Sequence, residues 1–384
     1  MKITRIEPIA LSYPLPPEAQ YRVGSVRRVK YDCLLVRVHT DEGITGIGET
    51  CLWVGEEGLS RAIEGRIGPR FVGRDPFAVE KLTIPTDDLA ENAALAAIDV
   101  ACWDIIGKAT DTPVFKLLSP DGAYEEVLRG YASAGVFYEW DKRPEQIVDE
   151  ALHWLDDGWT AFKLRMGTDW ERFGITVPSF LALMEKVAAA VNGRMDLMVD
   201  AGARCRDVQE AVELARGLEQ LGFLWLEEPL PRIPADNAAV AEQVEILITG
   251  GEGFIAPQQF KPFIEAGGYD IVQPDASRTG LTGWLKVAAM AERTGRRCIP
   301  HCWFNAVVIA ENAAAVAAIP NRMFMEYNAN PNPLKHAILI EPLQPERGYF
   351  HMPNKPGLGV ELDDDALQHF PYVEGPQYVP HYAD

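Results

Sequence analysis

Cysteine is scarce and unpatterned in this chain. Six cysteines, at 33, 51, 102, 205, 298 and 302, contain no CxxC pair and no regular framework in 384 residues. That argues against a disulfide-stapled scaffold and against a zinc ribbon, and the six read as reduced thiols of a cytoplasmic enzyme. Cys302 adjoins His301, but a small packed residue is its simpler reading. Long apolar runs are also missing. No stretch of 18 apolar residues occurs, so nothing is expected to span a membrane. The opening, Met1-Lys2-Ile3-Thr4-Arg5-Ile6-Glu7-Pro8, lacks the apolar core of a secretory signal. Positive charge is in deficit, with 36 Lys and Arg against 56 Asp and Glu and a formal charge of −20. Nucleic acid and anionic membrane surfaces need basic patches, so neither is expected as a partner. A small anion can still bind where a metal or an arginine supplies local charge. Low-complexity tracts are absent.

A rhythm is present instead. Seven polar residues each close a short apolar run: Lys163, Asp200, Glu227, Glu252, Asp275, His301 and Glu326. Their successive gaps are 37, 27, 25, 23, 26 and 25 residues. A gap near 25 accommodates one strand, a loop, one helix and a return loop. Such alternation argues for βαβ units and a parallel sheet. Closed into a barrel, it brings residues at strand C-termini to one mouth, where such folds carry their active sites. A barrel takes about 250 residues, so the chain has room for a second, smaller domain. A hydrophobic content of 47% is ample for both cores.

Residues 1–60 read as an antiparallel sheet: an apolar, β-branched run at 33–40, a turn at Asp41-Glu42-Gly43, and a return at 44–49. Residues 58–119 read as helical, and 89–108 is an Ala-rich segment with Leu95, Ile98, Cys102, Ile105 and Ile106 at helical steps. From 128 onward eight strands are predicted, at 128–133, 161–166, 196–201, 223–227, 245–249, 269–273, 296–300 and 323–327. Gly158, Gly193, Gly222 and Gly295 mark helix stops, and Asp207 a helix N-cap. The helix within 230–245 is expected to be short.

Asp200, Glu227 and Glu252 close strands three, four and five. Three carboxylates at adjacent strand ends form a hard oxygen site suited to Mg2+. Asp275 and His301 close strands six and seven. A carboxylate bonded to one imidazole nitrogen fixes the tautomer and raises the basicity of the other, which makes a general base. Lys163 and Arg165 alternate on strand two and so share one side. They are expected to face the carboxylate of a small-molecule substrate across the metal.

At this point the chain resembles the enolase superfamily, specifically its mandelate racemase subgroup. The resemblance rests on Gly43-Ile44-Thr45-Gly46-Ile47-Gly48-Glu49, on the 97–108 helix, and on Glu227-Glu228-Pro229, Gly251-Glu252, Gln273-Pro274-Asp275, Pro300-His301 and Pro356-Gly357-Leu358-Gly359. It implies an α/β fold, a (β/α)7β barrel with an α+β capping domain. The expected division is 1–125 for the capping domain, 126–340 for the barrel and 341–384 for a segment returning to the cap. It implies Mg2+ on Asp200, Glu227 and Glu252, and abstraction of the proton α to a carboxylate. Enzymes of this superfamily pair a Lys or His base with Mg2+ for that step. The resemblance also implies that Glu326 hydrogen-bonds the enediolate as a protonated acid. Tyr21, Arg22 and Trp53 fall in loops that are expected to contact substrate, and a homo-oligomer is expected.

The departures direct the reaction. Members with two bases carry Lys-x-Lys on strand two, whereas Arg165 stands at the second position here. A guanidinium, with a pKa above about 12, is a poor base. Gly202 and Gly253 stand where many members have Asn. One competent base, His301, suits dehydration of an aldonate or aldarate to a 2-keto-3-deoxy acid, with His301 or Lys163 as the acid for the leaving hydroxyl. The alternatives are a cycloisomerase of a sugar-acid lactone or anhydro sugar acid, a racemase or epimerase, and a non-catalytic binding module.

Overall fold

The computed structural model describes residues 1–23, 25–50, 56–119, 121–166 and 170–381. Five strands precede the barrel: β1 (Ile3–Pro14), β2 (Tyr21–Val23), β3 (Val26–Arg28), β4 (Lys30–Thr40) and β5 (Thr45–Thr50). Strands β1, β4 and β5 form an antiparallel sheet with β4 at its centre. Alternation along β4 divides its side chains between two cores. Leu34, Val36 and Val38 pack under the helix Leu89–Ala109, while Cys33 and Leu35 join the large core shared with the barrel. The glycines of β5 have a packing reason. A Cβ on Gly46 would fall on the carbonyl oxygen of Ala101, and one on Gly48 on that of Ala97. The strand therefore lies directly against an Ala-rich helix surface. Asp88 caps that helix, accepting from the Glu91 N–H at 2.6 Å. The rest of the expected helical region is broken into short pieces: the α-helices Glu56–Ala62, Val79–Leu82 and Val114–Leu117, the π-turn Ile63–Ile67, and the 3-10 turns Gly68–Arg70 and Pro76–Ala78. Pro69, Pro76 and Pro85 lie in the interrupted stretch and cannot donate to a continuous helix.

Eight parallel strands follow: β6 (Val127–Ala134), β7 (Ala161–Arg165), β8 (Asp196–Asp200), β9 (Trp225–Glu227), β10 (Leu247–Gly250), β11 (Ile271–Val272), β12 (Arg297–Cys298) and β13 (Met325–Asn328). Each pairs with the next from β6 to β12, and β13 returns to β6. The ring closes between β12 and β13 through the Cys298–Arg322 bridge. Helices occupy the seven intervals, and β13 is followed by the short turn Pro333–Lys335 in place of an eighth barrel helix. This is the (β/α)7β order. Strands β11 and β12 are two residues long where five were expected. Pro274 and Pro300 end the ladders because neither has an N–H to donate. The register continues past them, with the His301 N–H on the Pro274 carbonyl at 3.1 Å.

Gly158, Gly193, Gly222 and Gly295 all have positive φ at helix ends, and Asp207 caps the helix Val208–Gln220 through the Glu210 N–H at 2.9 Å. The short helix within 230–245 spans Pro234–Ala241. Below the mouth the barrel is filled by Tyr131, Trp225 and Phe324, packed edge to face with centroids 5.3–6.0 Å apart. Beyond the barrel, β14 (Tyr349–His351) pairs with the start of β6, and β15 (Tyr378–Pro380) pairs with β3, whose other neighbour is β2. Five described cysteines are free and buried. No helix among the described residues is long and apolar enough to cross a membrane.

Buried carboxyls fasten the N-terminal sheet to the barrel. Asp104 accepts from the Ile47 N–H at 3.0 Å and the Leu358 N–H at 2.8 Å, and Asp99 from the Thr282 N–H at 3.0 Å. Glu49, at the end of β5, accepts from the N–H groups of Val307 and Val308 at 3.0 and 3.2 Å. It thereby caps the barrel helix Ala306–Ala317, whose own N-cap residue, Asn305, makes no side-chain cap. The Glu49 N–H donates to Glu311 Oε1 at 2.6 Å, so two carboxyls lie together with no exposure to water. Burial pushes the Glu49 carboxyl up to about 7 despite these donors.

A folded pKa raised above the unfolded value of about 4.3 means that the native state binds the extra proton. The associated stability is complete below pH 4.3 and is lost as pH rises through about 7. Denaturant titrations should therefore show the wild type losing about 3 kcal/mol relative to Glu49→Gln between pH 4.5 and 8. A pH-independent difference between the two proteins would contradict this reading of Glu49.

Candidate active site

Strand C-termini place the functional side chains at one mouth. Atoms of Asp200, Glu227 and Glu252 lie within 4.8 Å of one another, one carboxylate oxygen from each. They come from the ends of β8 and β9 and the loop after β10. Asp200 Oδ2 and Glu252 Oε2 are both buried and make no hydrogen bond. Hard oxygen donors of this kind, three in number and converging, fit a divalent cation such as Mg2+. Charge counting agrees. Four carboxylates, with Glu326 as the fourth, meet two cations. Lys163 Nζ lies 2.7 Å from Glu227 Oε1 and 2.8 Å from Glu326 Oε1. Arg165 Nη2 lies 3.0 Å from Asp200 Oδ2 and 4.0 Å from Glu252 Oε2. With all four ionised, two negative charges are in excess, the complement of one divalent ion. Burial, with the neighbouring carboxylates, pushes Glu227 up to about 8 against the pull of Lys163.

Alternation on β7 does turn Lys163 and Arg165 to the same side. Their counter-anions differ from the expected substrate carboxylate, because both cations already pair with carboxylates of the protein. Burial would lower the Lys163 pKa, but Glu227 and Glu326 overcome it and raise the group. Arg165 is likewise held cationic by Asp200 and Glu252 against burial. Its guanidinium stacks 4.1 Å from the centroid of the Trp303 ring.

The dyad has the expected contact. His301 Nδ1 lies 2.7 Å from Asp275 Oδ2, and Nε2, buried and without a hydrogen bond, lies 3.5 Å from Glu252 Oε2. Asp275 is itself held. Its Oδ1 accepts from the Ser277 N–H at 2.9 Å, the Ser277 hydroxyl at 2.8 Å and Asn312 Nδ2 at 3.3 Å. Burial lowers the His301 pKa, but Glu252 and Asp275 outweigh it and raise the imidazole above its ordinary value.

Glu326 departs from the reading as a protonated acid. Burial favours that form, yet Lys163 and His301 hold it below its ordinary value, and Oε2 accepts from the Cys302 N–H at 2.6 Å. Its Oε1 pairs with Lys163 Nζ at 2.8 Å. Cys302 is no reactive thiolate, since burial pushes it well above the usual thiol range.

Tyr21 and Arg22, expected in a loop, stand on β2; Tyr21 is buried and bonds the Tyr31 hydroxyl at 3.0 Å, its ring edge to face with Trp303 at a centroid separation of 6.4 Å. Arg22 pairs with Glu139 at 2.7 Å and approaches Asp141 at 3.6 Å. Trp53 lies outside the described residues. Sequence reasoning passed over Gln273, whose Nε2 donates to Glu227 Oε2 at 2.7 Å while Oε1 accepts from Thr249 Oγ1 at 3.1 Å. The signal was available: Gln273 stands two residues before Asp275, on the same side of an extended strand. Trp303, which donates from Nε1 to Ser133 Oγ at 2.7 Å, had no such signal.

The barrel and this mouth together define an enolase-like enzyme. Residues 12–119 match the mandelate racemase/muconate lactonizing enzyme N-terminal domain, and residues 146–366 match the enolase C-terminal domain-like family. The chain belongs to the mandelate racemase subgroup of the enolase superfamily. It is 30% identical to the D-galactarolactone cycloisomerase of Agrobacterium fabrum, over 96% of this chain and 99% of that one. It is 31% identical to the D-galactonate dehydratase of Variovorax paradoxus, over 89% and 92%. Among solved structures, the 3,6-anhydro-D-galactonate cycloisomerase of Zobellia galactanivorans superposes with a TM-score of 0.81 at 28% identity, covering 96% of this chain and 99% of that chain.

The dyad has a spectroscopic consequence. In metal-free protein, an NMR titration of His301 should give a pKa above the usual value of about 6.5. Asp275→Asn should bring it down. A His301 pKa at or below the usual value in the wild type would remove the basis for assigning the dyad.

Proposed function

We propose that the chain dehydrates a sugar acid, an aldonate or aldarate, to a 2-keto-3-deoxy acid, with Mg2+ held by Asp200, Glu227 and Glu252. The observation that carries this reading is the count of bases. His301 Nε2 opens toward the carboxylate cluster, and Arg165, the second cation of β7, is pinned to Asp200 at 3.0 Å. One base removes a proton from one face only. Relatives named as galactonate and arabinonate dehydratases support the same reading.

Bound there, Mg2+ supplies Lewis-acid charge beside the substrate carboxylate. Arg165 clamps substrate oxygens opposite His301 and stays cationic throughout. His301 Nε2 takes the C2 proton, and Asp275 holds Nδ1–H and steadies the imidazolium that forms. As the C2–H electron pair becomes the C2–C3 double bond, the C3–O bond breaks. The imidazolium returns its proton to the departing hydroxyl, and water leaves. The resulting enol then tautomerises to the 2-keto-3-deoxy acid. His301 is the better acid for this step. Lys163, its pKa raised by Glu227 and Glu326, surrenders a proton poorly near neutral pH. A second reading, a cycloisomerase, has support from the relatives that carry that name and uses the same proton abstraction. A silent binding module has no support from a chain that keeps the three carboxylates and the dyad.

Purified protein with Mg2+, assayed against a panel of aldonates and aldarates, should form a 2-keto acid from at least one. Activity should vanish in excess chelator and in His301→Asn. kcat/KM should fall on an acid limb that is lost together with activity in His301→Asn, since His301 must be neutral to act. Ring-opened product from a lactone or anhydro acid, with no keto acid from the panel, would replace dehydration by cycloisomerisation.

Stereochemistry tests the single base directly. In D2O the wild type should label C2 of one epimer series only, because Arg165 cannot accept a proton. Arg165→Lys should weaken substrate binding through loss of the bidentate fork. Rapid exchange of both epimers by the wild type would assign a second base and restore the racemase or epimerase alternative.

A further inference from the structure

Gly253 follows the third carboxylate of the cluster, and a guanidinium occupies the space beside it. A Cβ on Gly253 would overlap Arg232 Nη1 and lie only 2.6 Å from its Cζ. The backbone of Gly253 is not in the left-handed region, so the absent side chain answers to crowding and not to φ. Arg232 is held flat in this seat. It donates from Nε and Nη2 to Glu228 Oε1 and Oε2, both at 2.6 Å. Its Nη2 stands 4.0 Å from Glu252 Oε1.

Glu228 joins three loops at once. Its N–H donates to the Thr249 carbonyl at 2.9 Å, and its own carbonyl accepts from the Ala203 N–H at 2.7 Å. Oε1 also accepts from the Gly251 N–H at 3.0 Å. Ala203 lies beyond Asp200, Glu228 follows Glu227, and Gly251 precedes Glu252. Glu228 reaches these partners in a left-handed conformation, φ 41°, which costs a non-glycine residue energy and persists only where its surroundings enforce it. The bidentate arginine is the strongest of the enforcing contacts.

We propose that Arg232 is a positioning residue for the cation site. Through Glu228 it locks the loops that follow Asp200 and Glu227 to the loop that carries Glu252, and Gly253 is the gap that admits it. The inference rests on the reading that these three carboxylates bind a divalent cation. Arg232 is not assigned any contact with substrate. Partners that orient metal ligands typically contribute 10–100-fold in metal affinity.

The test is the affinity of the otherwise intact protein for Mg2+ by calorimetry, with the Mn2+ EPR spectrum as a second readout. Arg232→Met and Gly253→Ala should each weaken binding by about tenfold or more and broaden the spectrum. Arg232→Lys keeps the charge without the fork and should recover only part of the loss. The double variant should bind no more weakly than the worse single variant, because both changes empty the same seat. Gly253→Ala leaves both ionic partners in place and carries the test if Arg232→Met does not fold. Binding by Arg232→Met within twofold of wild type, or tighter, would overturn the proposal. So would additive losses in the double variant. A wild type that binds no Mg2+ would fail at the first measurement, and that failure belongs to the cation reading itself.

Discussion

Four carboxylates, Asp200, Glu227, Glu252 and Glu326, share the barrel mouth with two cations, Lys163 and Arg165, in a space almost closed to water. Like charges at this density repel strongly where the dielectric is low. The carboxylates hold both cations protonated, which is why neither is free to act as a base. With all four ionised, the residual charge of minus two makes a divalent cation the natural completion of the site. The apolar plug of Tyr131, Trp225 and Phe324 below keeps water from relieving the repulsion from underneath. A wetter floor would have screened the carboxylates and weakened the demand for a metal.

Holding such a cluster in place requires that its loops not drift apart. The structure achieves this with backbone donors spent on buried carboxyls. Asp99, Asp104 and Glu49 do so at the joint with the N-terminal sheet, and Glu228 does so between the barrel loops. A carboxylate that accepts backbone N–H groups fixes main chain, whereas one that pairs with a lysine fixes only a side chain. The Glu49 contact is the longest in reach. It begins on β5, immediately before residues 51–55, and ends at the first turn of the helix that follows the His301 loop. The placement of His301 therefore depends on a residue from the other side of the domain joint.

The strand rhythm was legible because each barrel strand is a short buried run with a polar terminus, and the repeat of about 25 residues is set by one helix and two loops. All eight strands fall where that spacing put them, with ladders shortened at Pro274 and Pro300. The cluster of Asp200, Glu227 and Glu252 and the His301–Asp275 contact were legible for the same reason, since they sit at strand ends. What was not legible depends on loops meeting in space. Nothing in the sequence at 253 announces that Arg232, 21 residues earlier, will fill the place of its side chain. The pairing of Glu326 with Lys163 was hidden too. It follows from Lys163, on the second strand of the barrel, reaching a neighbour on the eighth. Tyr21 and Arg22 were expected in a loop but stand on β2, and their bonds to Tyr31 and Glu139 required the fold.

Trp303 connects these two levels of organisation. Its indole ring carries the Arg165 guanidinium on one face, its Nε1 is anchored to Ser133 on β6, and its edge meets Tyr21 of the small β2–β3–β15 sheet. Arginine at this position is thus doubly constrained: by Asp200 electrostatically and by Trp303 through stacking. A lysine there would satisfy the first contact and lose the second, because an ammonium presents no flat face to an indole. The substitution of Arg for a second lysine base is therefore built into the surrounding packing, and the small sheet reaches the reacting centre through it. In the proposed reaction, any shift of that sheet on substrate binding acts on Arg165 through Tyr21 and Trp303. Recognition at the cap and clamping of the substrate on the face opposite His301 are then one mechanical event.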